Sequence, residues 1–357
     1  MNPQPDPKVS ALIRRGLVIP ASPLALDSNR RFDERRQRIL MRYYLDAGAG
    51  GMAVGMHFTQ FEIRRPGIDL FRPVLSICAD EVRSWSSRLK KRVPLVAGIN
   101  GRTPDALRQV VVARELGYDY AIVSLSDFRG ALDEEMVHHI AEIGKILPVF
   151  GFYLLTGVGG IHLSNRFWRL LLDLECLHGI KIAPFNRYGT IDVLRAVAES
   201  GRAEEVVLYT GNDDSIIYDL VTPFTFKTSK GPVTVRIRGG LLGQWACWTK
   251  RAVELLDQVH RWADSGKPLP IEWLRRSVEI TDANAAIFDA AHQYAGSIPG
   301  VNEILRGQGL LANILTLKPD EVLAPGQLRE IDRVCKAYPH LTDDDFVRKN
   351  LDKWKKF

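Results

Sequence analysis

Eight short apolar runs, spaced along the first 250 residues with helical patterns between them, constrain the fold most. They are GLVIP (16–20), GMAVGM (51–56), PLVAGI (94–99), DYAIVSL (119–125), PVFGFYL (148–154), GIKIA (179–183), EVVLYTG (205–211) and RGGLLGQWA (238–246). Runs of this length, bounded by Gly or Pro, read as buried strands. The intervening stretches read as helices. RRFDERRQRILMRYYLDAG carries Ile39, Leu40, Tyr43 and Tyr44 on one stripe and stops at Gly48. TPDALRQVVVARELG has Thr103 as N-cap, Pro104 in its first turn and Gly117 as its stop. SNRFWRLLLDLE opens at Ser164. Eight strands alternating with helices predict an α/β fold, a (β/α)8 TIM barrel. A doubly wound open sheet is the alternative, but no GxGxxG follows the first strand.

The barrel is expected over residues 1–250. Its segment FTFKTSKGPVTVRIRG (224–239) reads as a β-hairpin inserted before the eighth strand. From 251 to 357 the pattern is mostly helical, a C-terminal extension packed on the barrel, with a helix start at DDDF (343–346).

The chain of 357 residues is 46% hydrophobic and 25% charged, ample for a large core. Its net charge of +6 is scattered, except for the tail KWKKF, so nucleic acid is not an expected partner. Cys78, Cys176, Cys247 and Cys335 lie far apart and form no CxxC, which suggests neither zinc nor a disulfide framework. His138 and His139 are adjacent on a helix and face different ways, so they do not make a metal pair. No apolar signal core and no membrane span are read in the sequence, and a cytoplasmic setting is the expectation.

The chemistry is sought in GIKIA. Strand side chains alternate, so Gly179, Lys181 and Ala183 share one face while Ile180 and Ile182 share the other. The isoleucines suit the outer helices. Lys181 then points into the barrel between two small residues. Burial disfavours an ammonium and lowers its pKa. A neutral amine can attack a ketone and form a Schiff base. The alternative is a lysine at the barrel rim paired with a carboxylate. On the fifth strand, Tyr153 lies near the C-terminal end, where barrel active sites collect. Its hydroxyl beside an imine would donate and remove protons; the alternative is a core tyrosine with a satisfied hydroxyl.

Together these stretches resemble the dihydrodipicolinate synthase and N-acetylneuraminate lyase superfamily of class I aldolases. The resemblance runs over roughly residues 12 to 320 and rests on order and spacing. GLVIPASPLALDSNRRFD resembles the family's opening strand and turn. VPLVAGINGRTPDALRQVVVARELGYDYAIV resembles its third strand, helix and fourth strand, and LYTGNDD its seventh strand. GVNEILRGQGL resembles a helix near the family's C-terminus. VFGFYLLTG resembles the strand bearing the catalytic tyrosine, which implies Tyr153, and GIKIAP the Schiff-base strand, which implies Lys181.

The departures are equally visible. Where the family has Gly-Thr-Thr-Gly-Glu after the second strand, this chain has GMHFTQFE. Gly55, Met56 and His57 then offer backbone N–H groups for a carboxylate, and His57 or Thr59 would replace the relay hydroxyl. Val158 stands about where the synthases carry a substrate arginine, leaving Arg187, or Arg236 or Arg238, for a substrate carboxylate, with a plain surface position as the alternative for each. Ser126 and Asp127 stand where the synthases place a tyrosine contributed by a neighbouring subunit. Asp213 and Asp214 read as a cap for a helix or turn.

The resemblance implies a Schiff-base lyase, either aldolase or dehydratase, acting on a 2-keto acid such as pyruvate. It implies no metal or organic cofactor, because the imine is the electron sink, and a homo-oligomer, dimer or tetramer. The alternatives are a family member that binds a keto acid without turnover and a barrel enzyme that uses no imine.

Overall fold

The computed structural model describes residues 2–356; Phe357, the end of the basic tail, lies outside the described residues. All eight apolar runs form strands. They are β1 (Val18–Pro20), β2 (Met52–Val54), β3 (Leu95–Ile99), β4 (Tyr120–Val123), β5 (Val149–Leu154), β6 (Leu177–Ala183) and β7 (Val207–Thr210). After the hairpin β8 (Phe224–Thr228) and β9 (Gly231–Val235) comes β10 (Ile237–Leu242). The sheet order is β1-β10-β7-β6-β5-β4-β3-β2. Its two ends meet at a parallel bridge, Ala21 to Ala53. This is the (β/α)8 barrel, with β10 as its eighth strand. The residues of β3, β4 and β5 are all buried, as expected of parallel strands covered on both faces. The hairpin alternates buried and exposed positions along β8, and it ends at Val235 rather than 239.

The chain groups into two compact units. One holds the residues up to Leu17 and Pro94–Leu241, and so contains β3 to β9 and nearly all of β10. Its helices begin where their caps dictate. Ser164 Oγ accepts from Phe167 N–H at 2.9 Å and starts the helix Asn165–Leu172. Asn186 Oδ1 accepts from Gly189 N–H and starts Arg187–Ser200. Thr103, expected as a cap, is instead the first residue of the helix Thr103–Glu115, and its hydroxyl meets His139 Nδ1 at 2.9 Å. A helix not legible in the sequence, Pro7–Arg15, is capped by Asp6, which accepts from Lys8 N–H.

The other unit joins Val18–Val93 to the residues from Leu242 on. The C-terminal segment is helical as expected, with Thr249–Ser265, Glu272–Ile287, Ser297–Gly307, Gln327–Ala337 and Asp344–Trp354. Tyr43, on the helix Glu34–Ala47, explains the grouping. Its ring packs edge-on against Trp354 at 5.6 Å, and its hydroxyl donates to buried Asp343 at 2.8 Å. Arg42 donates to the carbonyl of Trp354 at 2.7 Å. No helix among the described residues is long and apolar enough to cross a membrane.

Candidate active site around Lys181

Lys181 sits on the inward face of β6 and is only 7% exposed. The alternation that placed it there holds. Phe150 of β5 fills the space beside Gly179, where a Cβ would stand 2.5 Å from its ring. Tyr209, the register partner of Lys181 on β7, points the same way. Its phenol donates to Ile13 O at 2.8 Å and accepts from Leu17 N–H at 3.0 Å. Gly211 leaves the room that the lysine stem occupies: a Cβ there would lie 2.6 Å from Lys181 Cε. The ammonium stands 4.5 Å from the ring centroid of Phe152. Burial pushes its pKa down from 10.5 to about 8, and the negative charge of Asp213 opposes the fall.

The fifth strand departs from the sequence reading. Val149 pairs with Leu177, 28 residues on, but Phe150 pairs with Gly179, 29 residues on. A bulge at His178 inserts one residue into β6, and from there the partner of Lys181 is Phe152, not Tyr153. Register partners in a parallel pair share a face, and a one-residue slip exchanges faces. Tyr153 therefore shares its face with Ile182 and points outward. Its ring packs 5.4 Å from Trp168 and against Gly189, on two of the outer helices, and its hydroxyl lies 3.3 Å from His162 Nδ1. Burial raises its pKa. The expected meeting of the Tyr153 phenol with the Lys181 amine is thus corrected. The position that shares the lysine's face is an aromatic ring without a proton.

Arg187 is also placed differently. Its guanidinium stacks on Tyr218 at 4.6 Å and bonds Asp219 at 2.7 Å. Asp219 is fully buried and further accepts from Thr210 Oγ1 at 2.6 Å and Asn212 Nδ2 at 2.9 Å. A buried carboxylate needs such partners, and Arg187 supplies one from Nη1, while among the described residues its Nη2 has no hydrogen-bond partner. Asn212 extends that network, accepting from Phe185 N–H at 3.0 Å and so joining the turns after β6 and β7. Phe185 itself has a left-handed φ of 50°. Asp213, read from sequence as a cap, is 4% exposed and is the carboxylate whose charge acts on Lys181. Its position just past the end of the neighbouring strand was the available signal.

The turn after β2 lies in the other unit. Gly55 has φ 87°, a conformation that favours glycine. Its N–H donates to Thr59 Oγ1 at 2.9 Å, and Thr59 Oγ1 donates to Ser22 O at 2.7 Å. Thr59 is fully buried. Its hydroxyl closes the turn. Met56 is extended and leads into the single turn His57–Thr59. His57 lies edge-on to Phe58 at 5.2 Å, and Phe58 packs on Phe288 at 5.3 Å. Of the two other arginines considered, Arg236 is half-buried and Arg238 is exposed, its carbonyl against Gly16. Among the described residues no cluster of three or more His, Cys, Asp or Glu side chains could hold a metal ion.

Among the described residues, Lys181 is the lysine buried on an inner face of this barrel. Solved structures agree on the fold. A monomeric dihydrodipicolinate synthase variant superposes with a TM-score of 0.70 at 18% identity, covering 91% of this chain and 98% of that one. The dihydrodipicolinate synthase from Oceanobacillus iheyensis gives 0.71 at 17% identity, covering 93% and 99%. The N-acetylneuraminate lyase from Fusobacterium nucleatum, solved in complex with pyruvate, gives 0.67 at 16% identity, covering 91% and 97%. At these identities the likeness is one of fold. No protein-family model matches the chain, and no curated protein matches it.

Proposed function

We propose that the protein is a Schiff-base lyase acting on a 2-keto acid, with Lys181 as the imine-forming residue. The observation that carries this reading is the amine itself: buried on the inner face of β6, with its pKa near 8. At pH 7 roughly one such amine in ten is neutral, against about one in three thousand for an ordinary lysine. The neutral nitrogen attacks the ketone carbon, and the protonated imine then draws electrons from the adjacent carbon, which permits cleavage, condensation or loss of a β-hydroxyl. The sequence resemblance supports the choice of keto acid. It also supports a carboxylate-binding role for the backbone of Met56 and His57, following left-handed Gly55, and a homo-oligomeric state.

The test is borohydride reduction in the presence of pyruvate and longer 2-keto acids. Intact mass is expected to rise by one reduced adduct, mapped to Lys181 and absent from Lys181→Ala. Adducts on other lysines, or none with any keto acid, would contradict the reading. A second reading, keto-acid binding without turnover, is favoured by Phe152 on the lysine's face, because a phenyl ring carries no proton to transfer. Trapping without product formation would select it.

A further inference from the structure

We propose that the Phe152 ring is a catalytic group of the Lys181 site, its face stabilising the positive charge that the nitrogen carries as an ammonium and again as an iminium. This rests on the reading of Lys181 as the imine-forming amine. The contact is direct. The amine stands 4.5 Å from the ring centroid, inside the range over which a cation is attracted to an aromatic face. Lys181 is 7% exposed and Phe152 4%, so little water competes for the charge. A phenyl ring has no proton to give; what it offers is the negative potential of its face.

The placement follows from the strands. β6 lies between β5 and β7 in the sheet, and Lys181 pairs with Phe152 on one side and Tyr209 on the other. The bulge at His178 is what sets Phe152, rather than Tyr153, on the lysine's face. On the β7 side Gly211 has no Cβ, and the lysine stem takes that room: a Cβ would lie 2.6 Å from Cε. The backbone after β7 thus meets the stem, and the ring on β5 meets the amine.

The charge develops in a balanced step. The neutral nitrogen forms the C–N bond with the ketone carbon, the carbonyl π pair moves to oxygen, and a proton passes from nitrogen to that oxygen, leaving a neutral carbinolamine. The C–O bond then breaks with its pair on oxygen, which takes a proton from solvent and leaves as water. The nitrogen lone pair closes the C=N bond, and nitrogen and carbon share one positive charge. The ring attracts that charge as it forms and so speeds the loss of water. It also favours the ammonium over the neutral amine, and the two effects separate by pH.

The experiment replaces Phe152 in the full chain by phenylalanines carrying one, two and three ring fluorines, which weaken the face and nearly keep its shape. Asp213, whose charge also acts on the amine, is unchanged in every member. Two quantities are read: the borohydride trapping rate with pyruvate at about pH 9.5, where the amine is mostly neutral throughout, and the pH midpoint of Lys181 labelling by an amine-selective imidate with no keto acid. Trapping is expected to fall stepwise, about tenfold across the series, and the midpoint to move down by about one pH unit, as for a desolvated ring–cation contact. A rate or a midpoint that stays level through the series would overturn the proposal and leave the imine reading intact. A loss of trapping confined to Phe152→Leu would assign the ring a packing role and also overturn it. Absence of trapping in the wild-type protein would instead overturn the imine reading, and the catalytic role with it, while the labelling midpoint still reports the contact of ring and ammonium.

Discussion

At the residue scale, the proposed chemistry rests on Lys181. A depressed lysine pKa means that the fold disfavours the ammonium, and the sign of the pH dependence follows. Below about pH 8 the group is protonated in both states, and the folded state carries the cost of its burial. Between about 8 and 10.5 the unfolded chain binds the proton more tightly, so this group's contribution improves as pH rises. Compared with Lys181→Met by denaturant unfolding, wild type is therefore expected to gain about 3 kcal/mol across that window. A stability difference that does not change with pH would contradict a buried amine. Its inward direction was legible from alternation with Gly179 and Ala183 alone. The direction of Tyr153 was not. Spacing of about 28 residues matches the register before the bulge, and only coordinates reveal the extra residue at His178. Tyr153→Phe is therefore expected to leave the trapping rate within about threefold and to cost about 1 kcal/mol of stability through the lost contact with His162. A loss of trapping comparable to that of Lys181→Ala would place the phenol at the amine after all.

At the scale of elements, the turn after β7 packs against the Lys181 stem. Gly211 and Arg187 make separable predictions there. Gly211→Ala sets a methyl 2.6 Å from both Lys181 Cε and Ala183 Cβ. The lysine stem must move, and trapping is expected to fall at least tenfold, with about 1–3 kcal/mol of destabilisation from overpacking. Unchanged trapping would show that the stem has another route. Arg187→Met removes the cation beside the fully buried Asp219 and leaves it only the bonds from Thr210 and Asn212. The expected result is a stability loss of about 3–5 kcal/mol, read by denaturant unfolding. A normal unfolding midpoint with a raised KM for the keto acid would return Arg187 to the substrate. The sequence could not distinguish these roles, because the partner of Arg187 stands 32 residues away, on the short helix Ile216–Val221.

At the scale of the whole molecule, the barrel was readable because each of its strands is a short, punctuated apolar run. The inserted hairpin was readable because its residues alternate and carry a Lys-Gly turn. The grouping of Val18–Val93 with the C-terminal helices was not, since it depends on side chains such as Tyr43 meeting Asp343 and Trp354, roughly 300 residues later. Asp213 escaped for a related reason. Its meaning comes from the strand next door, and in sequence it resembles any acidic cap. The central claim is that this architecture keeps one amine reactive near neutral pH. Competitive labelling of every lysine as a function of pH, resolved by peptide mass, measures that most directly. Lys181 is expected to reach half of its limiting reactivity near pH 8; a midpoint near 10.5, level with the surface lysines, would contradict the account.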